Sequence, residues 1–178
     1  MNITVYGSSS ARTPVAWLAA ARDLGARIAA AGHVLTTGAG RDGCMGAVAD
    51  GALAAGGRIR GVILRQFLAD GVLHPGIPDP LVAEDMRTRK RLLAEGADAF
   101  IALPGGPGTW EELWEIAVQR QIGRTRVPLV VVDCDGFYRP FRDQLAAAEA
   151  AGLLYGPADE QVRFAADPAA ALAVAGGC

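Results

Sequence analysis

The sequence predicts an α/β protein, a Rossmann-like three-layer αβα arrangement with a central parallel sheet. Three observations predict it. Short apolar runs alternate with longer segments of helical period, which is the pattern of βαβ units. The run "VPLVVVD" is continuously apolar, as expected for a strand covered on both faces. Short polar or glycine-rich loops follow the strands, where open parallel sheets bind their ligands. At 178 residues the chain, residues 1–178, is expected to form one domain with a substantial core.

Each element has its own reason. "ITVYG" is a short strand, and "PVAWLAAARDLGARIAAAG" a helix with Pro14 suited to its first turn and Gly32 to its end. "HVLTTG" is a second strand. "GCMGAVADGALAAGG" is an Ala-rich helix whose small residues permit close packing, and "IRGVIL" is a third strand. The stretch "RQFLADGVLHPGIPDP" is too polar and too broken for strand or helix, and a long loop in a compact domain is usually functional or mobile. "LVAED" ends a short strand and "MRTRKRLLAEGA" is a helix. "DAFIALPGG" is a strand followed by the helix "GTWEELWEIAVQRQIG". After "VPLVVVD" come the helix "FYRPFRDQLAAAEAAG", a short strand "QVRFA" and the helix "DPAAALAVAGG". The loops to read are therefore "GSSS", "GAGRDG", "ED" and "PGGPGT".

Composition narrows the function. Apolar residues make up 51% and charged residues 20%, and the net charge is −2 at pH 7. A nucleic-acid binder usually needs a basic face, so no nucleic-acid partner is expected. No apolar run approaches the ~18–20 residues of a membrane span. "MNITVYGSSS" lacks a basic n-region and a long apolar run, so it reads as the first strand and not as a signal peptide. Cys44, Cys134 and Cys178 are widely spaced, no C-x-x-C occurs, and the histidines are His33 and His74. Neither a disulfide framework nor a zinc cluster is expected, and the natural reading is a cytoplasmic enzyme.

The loop "PGGPGT" carries the strongest chemical signal. Gly105, Gly106 and Gly108 let backbone approach a ligand closely, and unpaired N–H groups at a helix start attract anions. Thr109 adds a hydroxyl. Its structural alternative is an N-cap, with Glu112 three residues on at the spacing of a capping box. Glu111 and Glu112 lie roughly 100° apart around the axis and cannot point the same way. Glu112 is either a helix-stabilising acid or a carboxylate placed beside a bound phosphate ester to act on its sugar.

"GAGRDG" satisfies G-x-G-x-x-G, yet it follows the second strand, and the acid expected about 20 residues on is replaced by Leu64, Arg65 and Gln66. A second glycine-rich anion or ligand loop, with Arg41 nearby, fits better than a nicotinamide site. In "MRTRKRLL", Arg87 and Arg91 share one stripe and read as a solvated face. Arg89 points elsewhere, and a cation at a helix start opposes the macrodipole unless an anion joins it. His33 reads as structural and His74 as a candidate lid residue. Cys44 reads as a packing residue. Trp110 and Trp114 are neighbours on one helix face, as core or as an interface.

"PGGPGTWEE" fits P-G-G-x-G-T-x-x-E, and with "MRTRK", "GSSS" and "GAGRDGCMG" it resembles the LOG (LONELY GUY) family from about Ile3 to Asp135. The resemblance implies a Rossmann-like fold and a homodimer with active sites at or near the interface. It implies an enzyme that cleaves the N-glycosidic bond of a nucleoside 5′-monophosphate, giving free base and ribose 5-phosphate. Arg89 and Glu112 take the places of the family's catalytic pair, and Gly105, Gly106, Gly108 and Thr109 those of its phosphate loop. Lys90 follows in the same motif, and Glu84 falls where the family carries an acid near the ribose or base. Ser9, Gly40 and Met86 complete the expected substrate-binding set, and no cofactor or metal is expected.

The chain departs from the family where Gly38-Ala39-Gly40 replaces G-G-G, where Arg41 and Asp42 precede Gly43-Cys44-Met45-Gly46, and where Arg87 replaces a histidine. These departures leave the catalytic pair intact and open the identity of the base. Two rival readings remain. A pyridoxal-phosphate decarboxylase would need Lys90, the only lysine, as its Schiff-base residue. A non-catalytic nucleotide-binding or carrier protein would use the same phosphate loop.

Overall fold

A computed structural model describes residues 1–177; Cys178, the third cysteine, lies outside the described residues. The strands are β1 (Asn2–Tyr6), β2 (Val34–Thr37), β3 (Arg58–Leu64), β4 (Leu81–Ala83), β5 (Ala99–Ala102), β6 (Leu129–Val132) and β7 (Arg163–Ala165). The helices are α1 (Val15–Ala30), α2 (Gly43–Ala54), α3 (Arg65–Ala69), α4 (Met86–Ala94), α5 (Pro107–Gln121), α6 (Arg139–Ala150), α7 (Ala158–Gln161) and α8 (Pro168–Ala175). The seven strands form one sheet in the order β4-β3-β2-β1-β5-β6-β7, and every neighbouring pair is parallel.

Strand alternation divides the core into two layers. Ile3, Val5, Ile101, Val130 and Val132 face α1, α2 and α8 through Leu24, Ile28, Val48 and Ala171. Tyr6, Phe100, Ala102, Leu129 and Val131 face α4, α5 and α6 through Leu93, Leu113, Ile116 and Leu145. The three-layer arrangement read from the sequence is the one observed.

The main correction lies in "RQFLADGVLHPGIPDP". Its first five residues form α3, because Pro75, Pro78 and Pro80 all lie downstream of Gly71, which ends the turn at φ +71°. The rest is anchored irregular backbone. Gly40 and Leu73 form an isolated bridge, and the His74 N–H donates to the Ala39 carbonyl at 2.9 Å. His74 is therefore not a lid residue. It is buried, its Nδ1 accepts from the Gly76 N–H at 3.0 Å, and its Nε2 faces Asp50 Oδ1 at 3.1 Å. Two short elements went unread, a 3₁₀ turn at Cys134–Gly136 and α7. Both are too brief to show a period.

α1 and α2 meet at backbone distance. A Cβ on Gly51 would lie 2.0 Å from the Arg22 carbonyl oxygen, and one on Gly25 would lie 2.0 Å from that of Val48. We expect Gly51→Ala to force the helices apart and destabilise the fold by about 1–3 kcal/mol. A lower urea midpoint at unchanged slope would show it.

Candidate active site

The chain enters the sheet at β1, steps outward to β4, then returns to β5 on the far side of β1. That reversal places a crevice between the loops after β1 and β5. The loops are joined there by the Ser8 N–H, which donates to the Pro104 carbonyl at 3.0 Å. A cavity of about 530 Å³ opens at this edge, within the range of roughly 300–1,000 Å³ usual for small-molecule sites.

One wall is the start of α5. The helix is capped by Gly106 with Pro107 in its first turn, so the N–H groups of Gly108 and Thr109 have no partner within the helix. Thr109 is consequently not the N-cap, and the capping-box reading of Glu112 fails, because Glu112 lies a full turn further in. Gly105 lies beneath Thr109: a Cβ there would be 2.2 Å from Thr109 Oγ1, so only glycine lets the loop close against the helix.

Across the cavity, α4 begins at Met86 behind a well-formed cap. The Asp85 carboxylate accepts from the Thr88 N–H at 2.8 Å and from the Thr88 hydroxyl at 3.0 Å. This cap aims Arg89, one turn later, inward. Arg89 is 5% exposed and Glu112 7%. Arg89 Nη1 lies 3.5 Å from Glu112 Oε1, close enough for an ion pair but without a hydrogen bond, and Arg89 Nε is buried with no partner. The guanidinium lies beneath the Phe67 ring, 5.8 Å from its centroid, and over Gly38, where a Cβ would lie 2.3 Å from Nη2.

Burial dominates the electrostatics of Glu112. Loss of water pushes its carboxyl from the ordinary 4.5 up to about 7, opposed by the charge of Arg89. The same burial raises the Tyr6 phenol, whose ring stacks on Phe100, with the charge of Glu112 adding to it.

The expected site residues divide cleanly. Arg89, Glu112, Gly106, Gly108, Thr109, Ser9, Gly40 and Met86 line the cavity. Gly105 supports the loop from behind. Lys90 does not reach the cavity: its Nζ binds Glu111 Oε1 at 2.8 Å and Glu115 Oε2 at 3.1 Å, and these bonds raise its pKa. A Schiff-base lysine needs a free amine, so this placement removes the decarboxylase reading. Glu84 does not line the cavity either. It binds Arg65 Nε at 2.7 and 2.9 Å on the exposed side of α3. Sequence reasoning singled out the loops that hold Asp85 and Gly38 without giving either residue a role beside Arg89, and it passed over Phe67. The Asp-x-x-Thr spacing could have revealed the first, whereas nothing local signals that residues 38 and 67 meet Arg89.

Burial of Glu112 links folding to pH. A carboxyl held at about 7 in the fold and near 4.5 outside it keeps a proton that the unfolded chain releases. The stability from this group is full below the lower value and lost as pH rises through the upper one. We expect the unfolding free energy of the wild type to fall more than that of Glu112→Gln between about pH 5 and pH 8, measured by urea denaturation at both.

Comparison with known proteins places the chain. The family described as "Possible lysine decarboxylase" matches residues 45–174. The cytokinin riboside 5′-monophosphate phosphoribohydrolase of Rhodococcoides fascians is 38% identical over 135 residues, 75% of this chain and 68% of that protein. The LOG enzyme of the same name from Oryza sativa subsp. japonica is 34% identical over 152 residues, 85% of this chain but only 63% of that protein. The Mycobacterium tuberculosis phosphoribohydrolase is 35% identical over 140 residues, 79% of this chain and 74% of that protein. Among solved structures, the molybdenum cofactor carrier protein of Chlamydomonas reinhardtii is similar at TM-score 0.73 and 27% identity, over 99% of this chain and 96% of that one. The molybdenum cofactor binding protein of Rippkaea orientalis shares the fold at TM-score 0.76 and 22% identity, over 99% of this chain and 95% of that one. The chain belongs to the LOG family, the group described as possible lysine decarboxylases, whose curated relatives bear the phosphoribohydrolase name.

Proposed function

We propose that this protein hydrolyses the N-glycosidic bond of a nucleoside 5′-monophosphate, AMP or an N6-modified AMP such as a cytokinin ribotide, to free base and ribose 5-phosphate. The observation that carries this reading is the meeting of a buried, hydrogen-bond-deficient Arg89–Glu112 pair with the free amides of Gly108 and Thr109 in one cavity. The helix start takes the phosphate. Its binding energy holds the ribose with C1′ against Glu112. As the C1′–N bond breaks, its electron pair leaves with the base and positive charge develops at C1′. Glu112 stabilises that charge or takes the proton of the attacking water, and Arg89 orients Glu112 or assists the departing base. A carboxyl near neutral pKa suits proton transfer at neutral pH.

The carrier reading has one observation in its favour, the 27% identity and full-length similarity to a molybdenum cofactor carrier. Against it stands Glu112. A buried acid pushed to about 7 is a liability in a simple container but useful to a reaction. Incubation with AMP separates the two readings. We expect free adenine from the wild type, little from adenosine, and a loss of about 10²–10⁴-fold in Glu112→Gln and Arg89→Ala. Absence of free base from both AMP and an N6-modified AMP would leave the carrier.

We further propose a homodimer with its active sites near the contact. Trp110, Trp114 and Val118 of α5 and its C-cap residue Ile122 follow one another four residues apart and are 44%, 39%, 52% and 53% exposed. The stripe begins next to Thr109, so its cover would border the phosphate loop. The free thiols of Cys44 and Cys134, both raised by burial, suit a reducing cytoplasm. Sedimentation velocity should show a dimer that Val118→Glu converts to monomer.

A further inference from the structure

The order of the strands gives the cavity a direction. β5, whose loop leads to Gly106–Thr109, is three steps from β3, whose following segment carries Phe67, Asp70 and Val72. At ~4.8 Å per step the two ends are roughly 14 Å apart. The Arg89–Glu112 pair stands between them, with Arg89 over Gly38 at the end of β2. A nucleotide held by its phosphate at α5, with C1′ beside Glu112, therefore extends its base toward the β3 end.

That end has a distinct chemistry. Ile63, Phe67 and Val72 supply apolar surface, the exposed Asp70 supplies a carboxylate at its rim, and Asp42 supplies a second from the neighbouring loop after β2. Asp42 is the N-cap residue of α2, yet its side chain makes no capping bond and pairs only loosely with Arg41 Nε at 3.8 Å. The Asp70 carboxylate receives no hydrogen bond from the described residues. Arg41 does not neutralise it. The Arg41 Nη1 donates to the Gly71 carbonyl at 2.9 Å and its N–H to the Val72 carbonyl at 2.9 Å, so this cation fastens the wall in place. Independently, the unpartnered Arg89 Nε, buried in the same cavity, marks the space as built for a ligand.

We infer that Asp70, together with Asp42, reads the edge of the base. A carboxylate only accepts hydrogen bonds. Facing the 6-position, this wall selects a base with an exocyclic amino group there, as in adenine, over one with a carbonyl, as in hypoxanthine. The inference rests on the hydrolase reading above and assigns the specificity of that same site.

The test is the ratio of kcat/KM for AMP and IMP in the wild type, Asp70→Asn and Asp42→Asn. A ratio taken within one protein is unaffected by differences in folded fraction. The wild type should prefer AMP by about 10-fold or more, the effect of one charge-assisted hydrogen bond. Asp70→Asn should lower the ratio by about 10-fold, because its amide can donate to the carbonyl of IMP. Equal turnover of AMP and IMP by the wild type, or a ratio unmoved in both variants, overturns the inference while leaving the hydrolase reading intact. Failure to release base from either nucleotide overturns the hydrolase reading instead. The ratio is then read from calorimetric Kd values of the same proteins, with the same expected and overturning results.

Discussion

Withdrawal of the Arg89 and Glu112 charges from water is the constraint around which the rest of the site is arranged. Attraction between buried opposite charges rarely repays their desolvation in full, and here the carboxyl stays well above its ordinary range despite a guanidinium 3.5 Å away. The pair persists because its surroundings leave it no alternative. The Asp85 cap starts α4 at the position that aims Arg89 inward, Gly38 leaves room beneath the guanidinium and Phe67 lies over it. Lys90, one residue on, pairs with Glu111 and Glu115, and its charge partly offsets the upward push that those two carboxylates exert on Glu112.

The similarities to known proteins illustrate how little a fold decides by itself. This chain is similar in sequence to proteins named for hydrolysis and in fold to proteins named for carrying a cofactor, and its family description refers to decarboxylation. What distinguishes these readings is local. The lone lysine is engaged by two carboxylates outside the cavity, whereas Glu112, whose carboxyl is displaced toward neutrality, lies inside it.

The strands and long helices were legible because each carries its own signal: alternation or continuous apolarity in "ITVYG" and "VPLVVVD", caps and turn residues around the helices. The cavity was legible as a set of loops, since parallel sheets gather their loops at one edge. Arg89 was separable from Arg87 and Arg91 by helical angle alone, and Glu112 from Glu111 in the same way. The start of α5 was misplaced because proline and glycine both suit a helix N-terminus, and choosing among Gly106, Pro107 and Thr109 requires the backbone angles. Glu84 and Lys90 were assigned to the ligand because they adjoin the right motifs. Their actual partners, Arg65 and the pair Glu111 and Glu115, come from other elements. Contacts of that kind leave no trace in a local stretch of residues.

The glycine contact between α1 and α2 also bears on how the cavity adapts. Both helices follow loops that line it, and the Met45 N–H in the first turn of α2 donates to the Ser8 carbonyl of the loop after β1 at 3.0 Å. With their backbones touching, the two helices and these loops form a single stiff anvil. The opposite wall, α3, has no buried side chain. It rests on the half-buried Leu68 and is fastened by Arg41 at the turn that follows, so it is the less rigid of the two walls, and accommodation to ligands of different bulk falls mainly on that side.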